Sequence, residues 1–241
     1  MRSLFSLLFA FIGIQASVAQ RNCGTTEYMR QYFTQDTQKP AGSFGHDRDT
    51  VPNEIITIPV VIHLLFHTAE QNISDAQIRS QIDVLNKDFR RLNADAVNTP
   101  EAFRSVAADT RIMFCLAQVS PDGRPTKGIV RKYTGKEFFL GDDAMKYSAA
   151  GGDDAWDNKK YLNIWVCSLF GRSLGYATPP GGPEDRDGVV INFDVFGTVG
   201  SIRHPYEKGR TTTHEVGHWL GLKHIWGDDN CGTDDVDDTP R

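Results

Sequence analysis

Cysteine, positive charge and long apolar runs are all scarce in this chain of 241 residues. The four cysteines, Cys23, Cys115, Cys167 and Cys231, allow three pairings if all are bridged, and the sequence does not choose between them. Cys115 and Cys167 lie in strand-like apolar runs, where buried free thiols are a fair alternative. Acidic residues outnumber basic ones, 31 to 26, for a formal net charge of −5. A basic face for nucleic acid is therefore absent, and that class of function is set aside. Beyond residue 19 no segment is long and apolar enough to span a membrane. Internal repeats and low-complexity tracts are missing too, and no methionine follows Met145.

What is present begins with a leader. Arg2 forms a short positive region, Leu4 to Ile14 is apolar, and Ser17-Val18-Ala19 offers small residues for a cut before Gln20. Residues 1–19 thus read as a secretory signal peptide, and the mature chain is expected to be secreted and soluble. Residues 20–52 are polar and turn-rich, and read as a propeptide or extended N-terminal segment, with Arg48 a basic loop residue suited to activation cleavage. The globular part, 53–241, begins near Ile55 and has the 39% hydrophobic content needed for one good core.

Within it, Ile56 to Phe66 suits a buried central strand. Ser74-Asp75-Ala76-Gln77 starts a helix of about five turns, with Ile78, Ile82, Leu85 and Phe89 on one stripe. Further strands are expected at 112–119, 129–133, 161–169, 174–178 and 189–193, and a helix at about 211–220. The order suggests a mixed α/β layer around one main sheet.

The most specific stretch is His214-Glu215-Val216-Gly217-His218-Trp219-Leu220-Gly221-Leu222-Lys223-His224, which reads H-E-x-x-H-x-x-G-x-x-H. On a helix, His214 and His218 share a face and can grip one Zn²⁺. Glu215 is placed to take a proton from a zinc-bound water. Gly221 can leave the helix with positive φ and carry His224 back as a third ligand. Three imidazoles leave a fourth position open, the pattern of a catalytic zinc site. Thr211-Thr212-Thr213 offers polar capping residues, and Trp219, Leu220 and Leu222 an apolar face. A bare H-E-x-x-H arises in roughly one chain in a hundred of this length, and the added Gly and third His make coincidence far rarer.

This long consensus is that of the metzincin clan of zinc endopeptidases. The wording TTTHEVGHWLGLKHIWG followed by CGTDDVDDTP resembles the pappalysin family, above all its secreted microbial members. IPVVIHLLF, ISDAQIRSQIDVLNKDFRRLNAD, FCLAQ, YLNIWVCSL and LGYATPPGGPEDRDGVVIN fit it too, so the resemblance spans most of 56–240. It implies an α/β (α+β) metzincin-like catalytic domain: a twisted, mixed five-stranded sheet with a backing helix and an active-site helix. It also implies an endopeptidase acting on protein and peptide substrates through zinc. Leu174, Gly175, Tyr176 and Ala177 match the strand at the upper rim of the cleft, whose exposed edge would let an extended peptide add as a strand. Metzincins carry a methionine turn after the third His; its absence before Arg241 makes the chain look truncated, with the C-terminal subdomain largely missing. That absence favours the alternative, an inert zinc-binding fragment or surface-binding protein. The retention of Glu215 argues against it.

Other constellations are weaker. Cys23, in Arg21-Asn22-Cys23-Gly24, resembles cysteine-switch segments and could occupy the open zinc position in a latent form; a disulfide or incidental thiol is an equal reading. Asp228, Asp229, Asp234, Asp235, Asp237 and Asp238 crowd one loop. They suit Ca²⁺ chemically, and the resemblance favours it, although a solvated acidic loop is the commoner cause of such runs. His63, His67 and His204 lack a ligand set and read as structural histidines. Oligomeric state, cleavage specificity and physiological substrate are not encoded in any motif.

Overall fold

The computed structural model describes residues 23–32, 54–228 and 232–236. The leader, Arg48, Asp229, Cys231, Asp237 and Asp238 lie outside the described residues.

The eleven-residue strand β1 (Ile56–Phe66) organises the sheet. On one side its first half pairs in parallel with β2 (Ile112–Leu116) and its second half with β3 (Ile129–Tyr133). On the other side Val60 to Leu64 pair in parallel with β4 (Leu162–Cys167), which pairs with β6 (Val189–Asn192). The short β5 (Gly175–Ala177) closes this side as the sole antiparallel partner, giving the order β2-β1-β4-β6-β5. Among the described residues the sheet has six strands, the six that periodicity placed and one more than the five-stranded sheet the resemblance implies, because β1 is long enough to pair with two strands in series. The mixed α/β architecture itself is as the sequence implied.

Strand periodicity assigns the two faces. Val60, Ile62 and Leu64, with Ile164, Val166 and Ile191, point to one side. There they meet Ile78, Ile82, Leu85 and Phe89 of α2 (Asp75–Phe89) and Val216 of α3 (Arg210–Trp219). Leu65, Trp165, Cys167 and Val190 point to the other, where Phe139, Met145, Leu169, Tyr176 and Tyr28 cover them. β4 is buried along its whole length, as a central parallel strand must be.

The Ser74 hydroxyl accepts from the Gln77 N–H, which fixes the start of α2 as the capping box predicts. Its fifteen residues make about four turns rather than five. The start of α3 corrects the sequence reading: Gly209, with φ +66°, is the cap residue, and Thr211, Thr212 and Thr213 lie inside the helix. The reason is tertiary. The Gln81 amide donates to the Gly209 carbonyl, while Arg210 and Thr213 both bind the Asp88 carboxylate, so α2 dictates where α3 begins.

The polar segment around residue 25 departs from expectation as well, since α1 (Thr25–Tyr32) is helical and packs on β5. His63 is buried, bonding Asp153 and Asn163 through its two nitrogens, and His67 faces the Thr134 carbonyl. His204 pairs with Glu207, so each takes a structural partner. Cys115 and Cys167 are free thiols.

Ile164 is fully buried at the centre of β4, between β1 and β6. Ile164→Ala should destabilise the chain by about 3 kcal/mol through the cavity it leaves, read as a lower thermal midpoint; an unchanged midpoint would show that the core sits elsewhere.

Candidate metal centre

α3 presents His214 and His218 one turn apart, with Glu215 between them on the side facing β5. The helix then ends in a Schellman arrangement: the Leu222 N–H donates to the Gly217 carbonyl and the Gly221 N–H to the His218 carbonyl. Gly221 has φ +96°, the left-handed conformation that the sequence assigned to it. That turn brings His224 back. The Nε2 atoms of His214, His218 and His224 converge at 3.0, 3.1 and 3.2 Å from one another.

The outer nitrogens reveal what the inner ones offer. His218 Nδ1 lies 2.8 Å from the Leu222 carbonyl, and His224 Nδ1 lies 2.6 Å from Asp228 Oδ1. A carbonyl and a carboxylate only accept, so both Nδ1 atoms carry the proton. Both Nε2 atoms therefore turn lone pairs toward one another at 3.2 Å. Two lone pairs at that distance repel unless a cation lies between them, and this donor set fits a metal ion on that ground. Burial also holds His218 below the usual histidine pKa range, which keeps its ring neutral.

A thiol of the same chain stands beside the three imidazoles. Cys23 forms a parallel bridge with Gly175, and the Gly24 N–H donates to the Gly175 carbonyl. Its sulfur lies 3.5 Å from His218 Nε2 and 3.6 Å from Glu215 Oε2. Among the described residues, Cys23, His214, His218 and His224 are the one group of such side chains close enough to share an ion. Burial, with the Glu215 charge beside it, pushes the Cys23 thiol up to about 12, so a thiolate here needs a cation to hold it.

Thr25 adds a contact that no motif announces. Its hydroxyl donates to Glu215 Oε2 at 2.8 Å and accepts from the Ala177 N–H at 3.0 Å. Glu215 is 1% exposed, and burial raises its carboxyl to about 7. The edge of β5 expected to be open is thus covered by residues 23–25, with Leu174, Gly175, Tyr176 and Ala177 all buried.

Part of the acidic loop lies among the described residues. Asp228 orients His224 and accepts from the Thr26 hydroxyl, while Asp235 pairs with Lys223. Asp234 accepts from the Val236 N–H, and no group of carboxylates gathers among the described residues. Leu222, assigned to the apolar face, is 59% exposed; Val216 takes the buried position.

A family model described as pregnancy-associated plasma protein-A matches residues 146–241. By structure the chain is similar to mature mirolysin of Tannerella forsythia, solved in complex with a cleaved peptide. The identity is 52% and the TM-score 0.76, over 78% of this chain and 73% of that one. The chain belongs to the pappalysin family. Its fold and its metalloendopeptidase activity follow from that membership. A mutant promirolysin of the same organism covers 91% of this chain and 76% of its own length, at 46% identity and a TM-score of 0.80. An extracellular metalloprotease of Arthroderma benhamiae is 29% identical over 98% of this chain and 72% of its own length.

Gly175 lets β5 run close to Glu215 on α3. A Cβ there would sit 2.7 Å from the Val190 carbonyl and 3.2 Å from Glu215 Cγ. Gly175→Ala should push β5 outward, lowering stability by about 1–3 kcal/mol and peptidase activity with it. Unfolding and casein assays that match the parent would show that the tight approach is unnecessary.

Proposed function

We propose that the chain is a secreted zinc endopeptidase in its latent form, with residues 1–19 a cleaved leader, 20–52 a prosegment and 53–241 the catalytic domain. The observation that carries the zinc reading is the inward convergence of the three Nε2 atoms, two of them with their protons fixed on the far side. A tetrahedral ion with zinc's bond lengths needs nitrogens about 3.3 Å apart and a sulfur about 3.5 Å from each. The nitrogen separations of 3.0–3.2 Å, and the 3.5 Å from His218 Nε2 to the Cys23 sulfur, are close to that, with all four ligand atoms within 4.8 Å of one another.

His214, His218 and His224 would hold the zinc, and Asp228 fixes the ring of His224. Zinc bound there supplies Lewis acidity, polarising a peptide carbonyl and making water easier to deprotonate. Glu215 Oε2 takes the proton from the attacking water and delivers it to the leaving amine nitrogen. With residues 23–25 in place, burial raises that carboxyl to about 7, and the wall that β5 and α3 build beside it remains when they leave. The substrate chain lies along β5, taking main-chain bonds from Gly175 and Ala177 that residues 23–25 now occupy. Secretion is supported by the leader and by relatives named as extracellular.

Latency follows from the same contacts. Cys23 closes the fourth corner, and Thr25 and Cys23 together engage the base, so neither water nor substrate can enter.

The test is casein hydrolysis by the chain after its N-terminal segment is cut away. Glu215→Ala should lower the rate about a hundredfold or more, and a zinc chelator should abolish it. Activity that survives both would end the zinc–Glu215 reading. In the uncut chain, Cys23→Ala should raise hydrolysis severalfold over the parent; unchanged latency would remove the thiol from the mechanism.

A further inference from the structure

One buried polar cluster near the cleft has no part in the chemistry above. Asp143 is 1% exposed, in the left-handed conformation at φ +61°. Its Oδ1 accepts from Tyr176 at 2.9 Å and pairs with Lys146 Nζ at 2.9 Å. Its Oδ2 accepts from the Tyr28 hydroxyl at 2.6 Å and faces the Arg186 guanidinium at 3.4 Å. The Tyr28 ring packs on Tyr176 with centroids 4.8 Å apart, under Lys146 Nζ at 5.2 Å. Thr178 Oγ1 lies 3.4 Å from the phenol oxygen.

Among the described residues, every member of this cluster except Tyr28 belongs to residues 143–186, on the catalytic side of the proposed prosegment boundary. Tyr28 is thus a guest in a socket that the catalytic domain builds, and the socket sits just past the C-terminal end of β5. Lys146 is fully buried and donates to Thr178 and to the Arg186 carbonyl as well, so the wall stays fixed without Tyr28.

We propose that this socket is a subsite of the cleft that accepts a phenolic side chain from a peptide laid along β5, the prosegment being its resident occupant. This rests on reading residues 20–52 as a removable prosegment. The charges select the guest. Lys146 and Arg186 repel a lysine or arginine side chain, and Asp143 repels a carboxylate. A phenylalanine fills the ring space but brings no donor for the buried Oδ2. A tyrosine meets all of these conditions, with an aromatic face for Tyr176 and Lys146 and a hydroxyl for Asp143.

The experiment varies the ligand and leaves the protein intact. The full chain is converted by limited proteolysis, and binding of a fluorescein-labelled peptide spanning residues 22–32 is followed by anisotropy. The Tyr28→Phe peptide should bind about tenfold or more weakly, because it keeps the ring and loses the bond to a carboxylate. Equal affinity of the two peptides, or no binding of the parent peptide, overturns the proposal. A Cys23→Ser peptide separates this from the latency reading. If Tyr28→Phe weakens binding and Cys23→Ser does not, the socket stands and the thiol contact fails. The reverse result sinks the socket and leaves the thiol contact standing.

Discussion

Two imidazole lone pairs facing each other at 3.2 Å, with water largely excluded, are the constraint on which the rest of the cleft depends. Rings left to themselves would turn a proton inward and bond to one another. They are prevented by the Leu222 carbonyl and the Asp228 carboxylate, which pin the protons on the outer nitrogens. The Leu222 carbonyl is in position because the Schellman turn ends α3 at Gly221. That same turn swings His224 inward. One left-handed glycine therefore supplies both the third imidazole and the group that sets the tautomer of the second.

The position of α3 is in turn set by the sheet and by α2. Asp88 and Gln81 hold its first turn, and β5 runs close enough to press on Glu215 because Gly175 has no side chain. The burial that raises Glu215 to about 7 comes from this packing, with residues 23–25 contributing the lid. A solvated carboxylate would stay far more acidic and serve poorly as a base that must later give its proton up.

How much of this was legible in the sequence follows from the range of each interaction. The H-E-x-x-H-x-x-G-x-x-H spacing is local, so the shared helix face of His214 and His218 and the Gly221 turn that returns His224 were both readable from it. The apolar stripe of α2 and the buried character of β1 and β4 are likewise short-period signals. What failed was long-range. Three consecutive threonines look like a cap, yet Asp88 on another helix moves the true start to Gly209. Residues 25–32 show little apolar periodicity, yet they are helical because Thr25, Thr26 and Tyr28 find partners on three other parts of the chain. The partners of the aspartates after the third histidine were not legible either: Asp228 serves an imidazole and Asp235 a lysine. Contacts that span 115 to 202 residues leave no pattern in a single sequence.

On the proposed latent reading, those long contacts also account for how so short a segment would hold the cleft shut. A helix of eight residues has little stability of its own in water, so α1 owes its form to the surface it docks on. On the proposed reading it is anchored at both ends, by Cys23 at the metal corner and by Tyr28 at Asp143, with Thr25 bridging the base and the rim strand between them. While the peptide chain is continuous, these few contacts act at high effective concentration and suffice. Once the chain is cut behind them, the same contacts must hold a free peptide against dilution and against the entropy of unwinding a marginal helix. On that reading, activation would require no rearrangement of the rest of the chain. Asp88 and Gln81 on α2 still hold α3, Gly221 still turns His224 inward, and the Nε2 atoms still converge, with the fourth corner opened to substrate.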